Sequence, residues 1–246
     1  MLRLDNRVRV LLVSGCLLGA AVQAQASSFD QVDPWELLNR KVFTFNTYCD
    51  TWLLRPVAKL YHHLPDPVET GIGNFFGNLQ EPSNVLNNLL QWKFKSAGRD
   101  TGRFLVNTTA GLGGFVNIAD KLGWKNSGGE DFGQTFRYWG IPEGPYLMVP
   151  VLGAFTVTDL VALPLDFAAN PASYLKAGSA RYGASGLKLV DKRANFFEAE
   201  ALLPVDDDPA IERDKRYLAI RSAFLQNREF KTQDGQVKDD FGVEPE

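Results

Sequence analysis

The sequence contains few of the residues that enzymes and metal sites use. Of its 246 residues, two are histidine and two are cysteine. His62 and His63 are adjacent, so on a helix they would point about 100° apart and could not chelate one ion together. The Gly-x-Ser-x-Gly elbow of serine hydrolases and the His-Glu-x-x-His motif of zinc enzymes are both absent. We therefore expect no catalytic residue, no metal site and no cofactor.

Neither sign of charge is in large excess. The chain has 26 Lys and Arg residues against 29 Asp and Glu residues, a formal net charge of −3. No long basic run is available to hold the phosphates of a nucleic acid, so we predict no nucleic-acid partner. The glycines of residues 71–77 resemble a dinucleotide fingerprint, but the spacing is one residue too long and no strand precedes it. We interpret these glycines as helix breaks.

An uninterrupted apolar segment occurs only near the N-terminus. Three arginines precede residues 10–22, which have the length of a signal-peptide core and are too short to span a bilayer. Small residues predict cleavage after Ala26. In an alternative interpretation the chain is a lipoprotein acylated at Cys16, but this leaves only residues 10–13 as an apolar run. We favour the ordinary signal peptide, and both interpretations predict export.

Helical periodicity dominates the rest of the chain. Asp33 and Pro34 suit the start of a helix that ends or kinks at Arg55-Pro56. Its apolar residues recur at spacings of three and four and form a wide aromatic stripe. Such a stripe either packs in a core or lies in a membrane interface. We predict an interfacial helix whose membrane-facing residues are Trp35, Phe43, Phe45 and Trp52.

Glycine and proline suggest where the later elements begin and end. We predict a short helix over residues 68–76 and a long element from Glu81-Pro82 to Thr109. Residues 146–155 are apolar but interrupted by proline, which predicts a hairpin or an extended apolar loop. Thr158-Asp159 is predicted to cap the helix that follows.

Three segments are predicted along the chain. Residues 1–26 form the signal peptide, residues 27–226 a single helical domain, and residues 227–246 a flexible polar tail. Acidic residues 206–208 are predicted to start the last helix, because the helix dipole favours negative charge there.

The central stretches at residues 74–82, 99–108 and 111–115 combine amides with aromatic rings. Such residues can satisfy a wet face and an apolar face at once, so we predict that they form the wall of a lipid path. The rings would face acyl chains or the core, and the amides would face headgroups or water. For Arg103, an ion-pair network with Arg99 and Asp100 is the simpler interpretation, and contact with a headgroup is the alternative. The candidates are Asn74, Phe75, Phe76, Asn78, Asn87, Arg103 and Asn107.

A series of sequence blocks runs from about residue 33 to residue 230 without large gaps. The blocks are Asp33-Pro34-Trp35-Glu36, Arg55-Pro56-Val57-Ala58, Asn74 to Pro82, Gly102 to Thr108, Gly111 to Phe115, Glu130 to Thr135 and Trp139 to Tyr146. Together they resemble the VacJ/MlaA family, the outer-membrane component of a bacterial phospholipid-trafficking system. Family members are usually lipoproteins, which is why acylation at Cys16 stays open.

The resemblance implies an all-α fold, a ring of amphipathic helices lying in the membrane plane with one apolar hairpin loop. Misplaced outer-leaflet phospholipids would pass through an amphipathic channel to the periplasmic face of the outer membrane. The implied partners are phospholipids, the inner leaflet of the outer membrane, a trimeric porin and a soluble periplasmic lipid-binding protein. A gating loop is implied at Gly140, Pro142, Gly144 and Tyr146, where Pro142 stiffens the middle.

Two other functions remain open at this point. A soluble periplasmic lipid-binding carrier would hide its apolar surface inside a pocket. An exported lipid hydrolase would need a nucleophile and a base, and the sequence offers no motif for either.

Overall fold

The computed structural model describes residues 32–174 and 178–235, so cleavage after Ala26 and acylation of Cys16 lie outside the described residues. The described chain is mostly helical with one hairpin, which confirms the predicted helical fold class. The elements in chain order are α1 (Glu36–Cys49), α2 (Arg55–Tyr61), α3 (Asp66–Leu90), α4 (Phe94–Thr109), α5 (Ile118–Lys121), α6 (Phe132–Tyr138), β1 (Tyr146–Val149), β2 (Gly153–Thr156), α7 (Val157–Ala169), α8 (Ser179–Asn195), α9 (Phe197–Glu200) and α10 (Pro209–Thr232).

Helix α1 begins later than predicted, because Asp33 has another role. The Asp33 side chain does not cap the helix and is 3% exposed. Its carboxylate accepts hydrogen bonds from Asn39 at 2.7 Å, from Arg221 at 2.9 Å and from the Tyr217 hydroxyl. Asp33 therefore ties the start of α1 to α10. The predicted break before Pro56 takes the form of a π-helical turn at Asp50–Leu54.

Helix α3 is a single element and not two. It continues through the glycines of its first half and through Pro82, and it ends at Leu90. The predicted break between residues 76 and 81 is therefore wrong. Tertiary packing outweighs the local helix-breaking tendency of glycine and proline here, because α3 buries a polar face that includes Asn78, Glu81 and Asn87.

The apolar segment after α6 forms the predicted hairpin. Strands β1 and β2 pair antiparallel, with Tyr146 opposite Thr156 and Val149 opposite Gly153. The next helix begins earlier than predicted, because its N-cap is Thr156, whose side chain forms a capping box with Asp159.

Side-chain amides of α1 hold the hairpin in place. Asn39 donates to the Tyr146 carbonyl at 3.2 Å and accepts from the Met148 amide at 2.9 Å. Asn46 donates to the Val149 carbonyl at 3.0 Å. These side-chain amides make hydrogen bonds to the backbone of β1 that a neighbouring strand would otherwise make.

The last helix, α10, begins and ends at positions set by charge. The Asp208 side chain caps it by accepting from the Ala210 amide at 2.8 Å, as the acidic run predicted. The helix continues to Thr232, so it does not end at the predicted residue 226. Its last turns are held because Arg228 is buried beside Asp131 and Asp159.

The interior of the described chain is largely polar, whereas many apolar side chains lie outside. One apolar cluster contains Phe43, Tyr146, Met148 and Tyr217, and a second, smaller one lies around Tyr61. Most of the largest fully buried side chains are amides, carboxylates or hydroxyls. By contrast, Leu37 is 82% exposed and Trp52 is 80% exposed. Within residues 32–174 and 178–235, no helix has the length and apolar character needed to cross a membrane.

Candidate functional site

A buried polar network joins α3 to α4 and to the loop after α5. Glu81 is 1% exposed, and its Oε1 accepts from Arg103 Nε at 2.9 Å and from the Asn126 side chain at 3.0 Å. Its Oε2 accepts from Asn84 at 3.1 Å. Burial raises the pKa of Glu81, and the hydrogen bond from Arg103 opposes that shift. Arg103 continues the network, since its Nη1 lies 2.5 Å from an Asp120 oxygen.

A second buried carboxylate extends this network. Asp100 is fully buried, and its Oδ2 accepts from Asn88 at 2.9 Å and from the Ser127 hydroxyl at 2.6 Å. Burial raises the pKa of Asp100 as well. The network predicted within α4 is therefore only partly present. Arg99 lies 3.9 Å from Asp100, but Arg103 pairs with carboxylates outside α4.

Three predicted lipid-path amides also make hydrogen bonds inside the chain. Asn78 donates to the Thr108 hydroxyl at 2.9 Å, and Asn87 accepts from the Thr135 hydroxyl at 2.7 Å. Asn107 accepts from the Ala119 amide at 2.9 Å. These side chains are bonded within the chain and are almost fully buried. A role for them on the wall of a lipid path stays a prediction. In the structure Asn78 and Asn87 join α3 to α4 and α6, and Asn107 joins α4 to α5.

The predicted aromatic candidates lie together at the first half of α3. The Phe75 ring lies 5.6 Å from the ring of Phe76 and 5.5 Å from that of Phe115. The Asn74 side chain donates to the Phe115 carbonyl at 3.2 Å. Phe76 and Asn74 also border the two adjoining cavities beside α3.

These two cavities lie between α3 and α8, with volumes of about 390 Å³ and about 500 Å³. They share Gly73 and Asp191 on their walls, so they lie next to each other along α3. Glycine leaves this part of α3 open, since a Cβ built on Gly77 meets nothing within 4 Å. Cationic side chains enter the first cavity from α8 and α10, namely Lys188, Lys192 and Lys231.

The lysines of the first cavity lack carboxylate partners. Among the described residues, none of the three makes an ion pair within 4.0 Å, and Lys188 Nζ lies 3.4 Å from the Gln80 side-chain oxygen. Burial lowers the pKa of Lys188, and the charge of Lys192 lowers it further.

The carboxylates on the same cavity wall have partners of their own. Asp131 is bonded to Arg228, Glu130 lies 3.5 Å from Lys93 Nζ, and the Tyr61 hydroxyl donates to Asp191. Of the charged side chains described in the first cavity, the lysines are therefore those left without an ion-pair partner. The second cavity is lined by Asp66, Glu69 and Asp191 and, among the described residues, by no lysine.

The segment that the resemblance implied as a gate lies between α6 and β1. Gly140 has a φ of +89° and Gly144 a φ of +71°, so both use backbone conformations that favour glycine. The second half of the segment is attached to α7, because the Thr158 hydroxyl donates to the Pro142 carbonyl at 2.6 Å. Tyr146 begins β1, where it is fully buried and its ring packs on Phe224, so it does not lie in the loop itself.

Of the four residues predicted to face a membrane, three are exposed in the structure. Trp35, Phe45 and Trp52 are 43%, 50% and 80% exposed. Phe43 is an error, because its ring is 9% exposed and lies 5.6 Å from that of Tyr217. A contact of lipid with the three exposed rings stays a prediction.

Sequence reasoning missed the three cavity lysines. Lys188 and Lys192 are four residues apart on a polar helix face, a spacing that also describes an ordinary solvated surface. Lys231 lies within the segment that was predicted to be a tail. The helical periodicity continues past Gln226 to residue 232. This was the local signal that could have shown that α10 includes Lys231.

Over the described residues, the fold and the cavities together define a helical protein with a polar interior, many exposed apolar side chains and three lysines without ion pairs in one cavity. The chain belongs to the MlaA lipoprotein family, whose sequence pattern matches residues 31–231, and this confirms the resemblance in the motifs.

Curated relatives share most of their length with this chain. It is similar to the intermembrane phospholipid transport system lipoprotein MlaA of Escherichia coli K12, with 30% identity covering 94% of this chain and 91% of that protein. The protein of the same name in Haemophilus influenzae is 32% identical over 83% of this chain and 81% of its own length. An uncharacterized protein of Rickettsia typhi is 32% identical over 82% of this chain and 78% of that protein.

A solved structure has the same fold. It was reported under the heading "Structural basis for maintenance of bacterial outer membrane lipid asymmetry". The TM-score is 0.70 at 30% identity, and the match covers 81% of this chain and 98% of the other.

Proposed function

We propose that this protein is a non-enzymatic component of a bacterial phospholipid transport system. It removes phospholipids that are misplaced in the outer leaflet of the outer membrane and so maintains lipid asymmetry. Phospholipid headgroups pass through the cavity between α3 and α8. The observation that carries this proposal is a cavity with three lysines free of ion pairs among the described residues, in a chain that exposes many apolar side chains and in a family whose named members are phospholipid transport lipoproteins.

The lining of the cavity suits transient contact with a headgroup. A phospholipid phosphate is attracted by lysines that have no carboxylate partner. Lysine contacts an anion as a point charge and not through the fixed bidentate geometry of arginine, so the contact is readily exchanged. The glycine face of α3 adds space without adding polar groups that would hold the ligand. A path with these properties attracts headgroups and also releases them.

The apolar exterior supports a position within one leaflet. We infer that the helices form a ring in the plane of the inner leaflet of the outer membrane, with the cavity inside it. Exposed Trp35 and Trp52 suit the headgroup boundary, because tryptophan combines an apolar ring with a polar N–H. A trimeric porin and a soluble periplasmic lipid-binding protein are the proposed partners at the rim and at the exit. The signal peptide of residues 1–26 delivers the helical domain there.

A soluble periplasmic carrier is the second candidate. A carrier keeps its apolar residues inside a pocket, whereas the described chain exposes Leu37 and Trp52 almost fully. Cell fractionation without detergent separates the two functions. We expect the protein in the membrane fraction, and recovery entirely in the soluble periplasm would favour the carrier.

Reversing one cavity charge tests the headgroup path. Lys192→Glu should impair lipid clearance, because it places a carboxylate where headgroup phosphates pass. The matched control is Lys41→Glu, which makes the same charge change at an exposed position of α1 outside the cavity. Cells carrying each variant are compared for outer-leaflet phospholipid and for detergent sensitivity. Equal clearance by both variants, at equal protein levels, would exclude this cavity as the path.

A further inference from the structure

The turn that ends α3 holds a residue that this type of turn rarely contains. The Lys93 amide donates to the Asn88 carbonyl at 2.8 Å, and the Trp92 amide donates to the Leu89 carbonyl at 3.1 Å. This pair of hydrogen bonds is the Schellman motif, in which the residue just after the helix adopts a left-handed conformation and is usually glycine. Here that residue is Trp92, with a φ of +60° and 71% exposure.

The turn presents two aromatic rings on the outside of the protein. The Phe94 ring is 59% exposed and lies 5.7 Å from the Trp92 ring in an edge-to-face arrangement. We call Trp92 and Phe94 the aromatic tip. Lys93, between them, points back into the protein, where its ammonium lies 3.5 Å from Glu130 and pairs with Asp234. The tip is therefore held by an internal ion pair while both rings face outward.

The charge around the tip is positive. Lys95 and Arg99 are exposed and lie four residues apart on α4. Lys95 makes no ion pair within 4.0 Å among the described residues, and the carboxylate near Arg99 is the buried Asp100. From Leu86 to Arg99 the sequence contains no Asp or Glu. Apolar rings beside the exposed cations Lys95 and Arg99 complement a surface of anionic headgroups over acyl chains.

We propose that the aromatic tip inserts into the headgroup region of an anionic phospholipid bilayer and that Lys95 and Arg99 contact headgroup phosphates beside it. The inference rests on the proposed function in placing the protein at a membrane, and it assigns a specific anchor. A tryptophan at the end of a helix suits this position, because its ring is apolar and its N–H reaches the polar boundary.

Binding of the purified full-length chain to vesicles tests the anchor. The vesicles contain phosphatidylglycerol and phosphatidylethanolamine, or phosphatidylcholine alone, and bound protein is measured by flotation. Trp92→Gly should lower the partition coefficient on the anionic vesicles about tenfold, because the largest ring of the tip is lost. Trp92→Phe, which keeps an aromatic ring, should retain most of the binding. Lys95→Glu should weaken binding to anionic vesicles and leave binding to phosphatidylcholine unchanged.

Unfolding of Trp92→Gly would not explain a loss of vesicle binding. Glycine is the residue that the left-handed turn favours, so Trp92→Gly should unfold at a temperature no lower than the unsubstituted protein. Trp92→Asn, which also tolerates this conformation, provides a second variant with no large ring.

Three outcomes would overturn the assignment. Equal vesicle binding by the unsubstituted protein and Trp92→Gly excludes the tip as an anchor and leaves the proposed function standing. Loss of a co-purifying outer-membrane protein in Trp92→Gly, with vesicle binding unchanged, makes the tip a protein contact instead. If the unsubstituted protein binds neither kind of vesicle, both the anchor and the proposed membrane placement fail.

Discussion

Replacing Arg103 by methionine is the sharpest test of how the polar interior holds the fold. The guanidinium is 3% exposed and faces the Glu81 carboxylate at 2.9 Å. Methionine fills much of the same volume but leaves Glu81 buried and charged with two amide donors, Asn84 and Asn126. Removing one partner of a buried ion pair costs about 3–5 kcal/mol, because the other charge stays in a medium of low polarity. We expect Arg103→Met to lose about that much free energy of unfolding.

A second substitution separates the effect of the unpaired Glu81 charge from the effect of lost packing. Arg103→Met combined with Glu81→Gln removes both charges, so it should recover most of the free energy that Arg103→Met alone loses. Denaturant unfolding in a mild detergent, followed by circular dichroism, gives the free energies of the four proteins in the cycle. The second carboxylate near Arg103, Asp120, is 56% exposed, so water compensates its lost partner.

The pH dependence gives an independent check. Burial already raises the pKa of Glu81, and loss of Arg103 raises it further. A carboxyl group whose folded pKa exceeds its unfolded value, about 4.3, stabilises the protein at low pH and loses that effect as pH rises through the folded pKa. The deficit of Arg103→Met should therefore be smaller at pH 5 than at pH 8. A deficit below about 1 kcal/mol, or one that grows as the pH falls, would refute this reasoning.

Three other substitutions test the remaining parts of the structure. Replacing Gly140 and Gly144 together by Ala should reduce lipid clearance, because both have positive φ values; unchanged detergent sensitivity of the cells would count against a role in gating. Asp166, whose pKa burial raises to about 6, should make the protein less stable as pH rises from 4 to 7, and Asp166→Asn should flatten that dependence in thermal unfolding. Gly133→Ala should destabilise by about 1–3 kcal/mol, since its Cβ would lie 2.3 Å from a carboxylate oxygen. The control Gly98→Ala, where a Cβ meets nothing within 4 Å, should be neutral or stabilising in the same measurement.

Features set by neighbouring residues could be read from the sequence. The hairpin at residues 146–156 follows from apolar segments punctuated by proline and glycine, and the start of α10 follows from its acidic residues. Asp33 was misread because its partners Tyr217 and Arg221 lie at the other end of the chain. The neighbouring residues predicted an N-cap at Asp33, whereas in the fold Asp33 forms a buried ion pair with Arg221.

The candidate site was harder to predict, because residues of one helix line a cavity only when a second helix packs across from them. The glycines of α3 were interpreted as breaks, but Gly73 and Gly77 line a cavity once α8 packs across from them. Lys188 and Lys192 become cavity residues for the same reason. The amides of α3 were correctly singled out as unusual. Asn78 is bonded to Thr108 on α4 and Asn87 to Thr135 on α6, and no periodicity in the sequence reveals these contacts.

The polar interior also bears on how stability depends on temperature. In most globular proteins, unfolding exposes a large apolar area to water, and this gives a large heat capacity change and a strongly curved stability profile. Here many large apolar side chains, such as Leu37 and Trp52, are exposed in the folded chain, whereas Glu81, Asn87 and Asp100 are buried. Exposure of polar groups lowers the heat capacity change further. The free energy of unfolding should therefore vary more gently with temperature than in a soluble protein of similar length, and cooling should weaken this fold little.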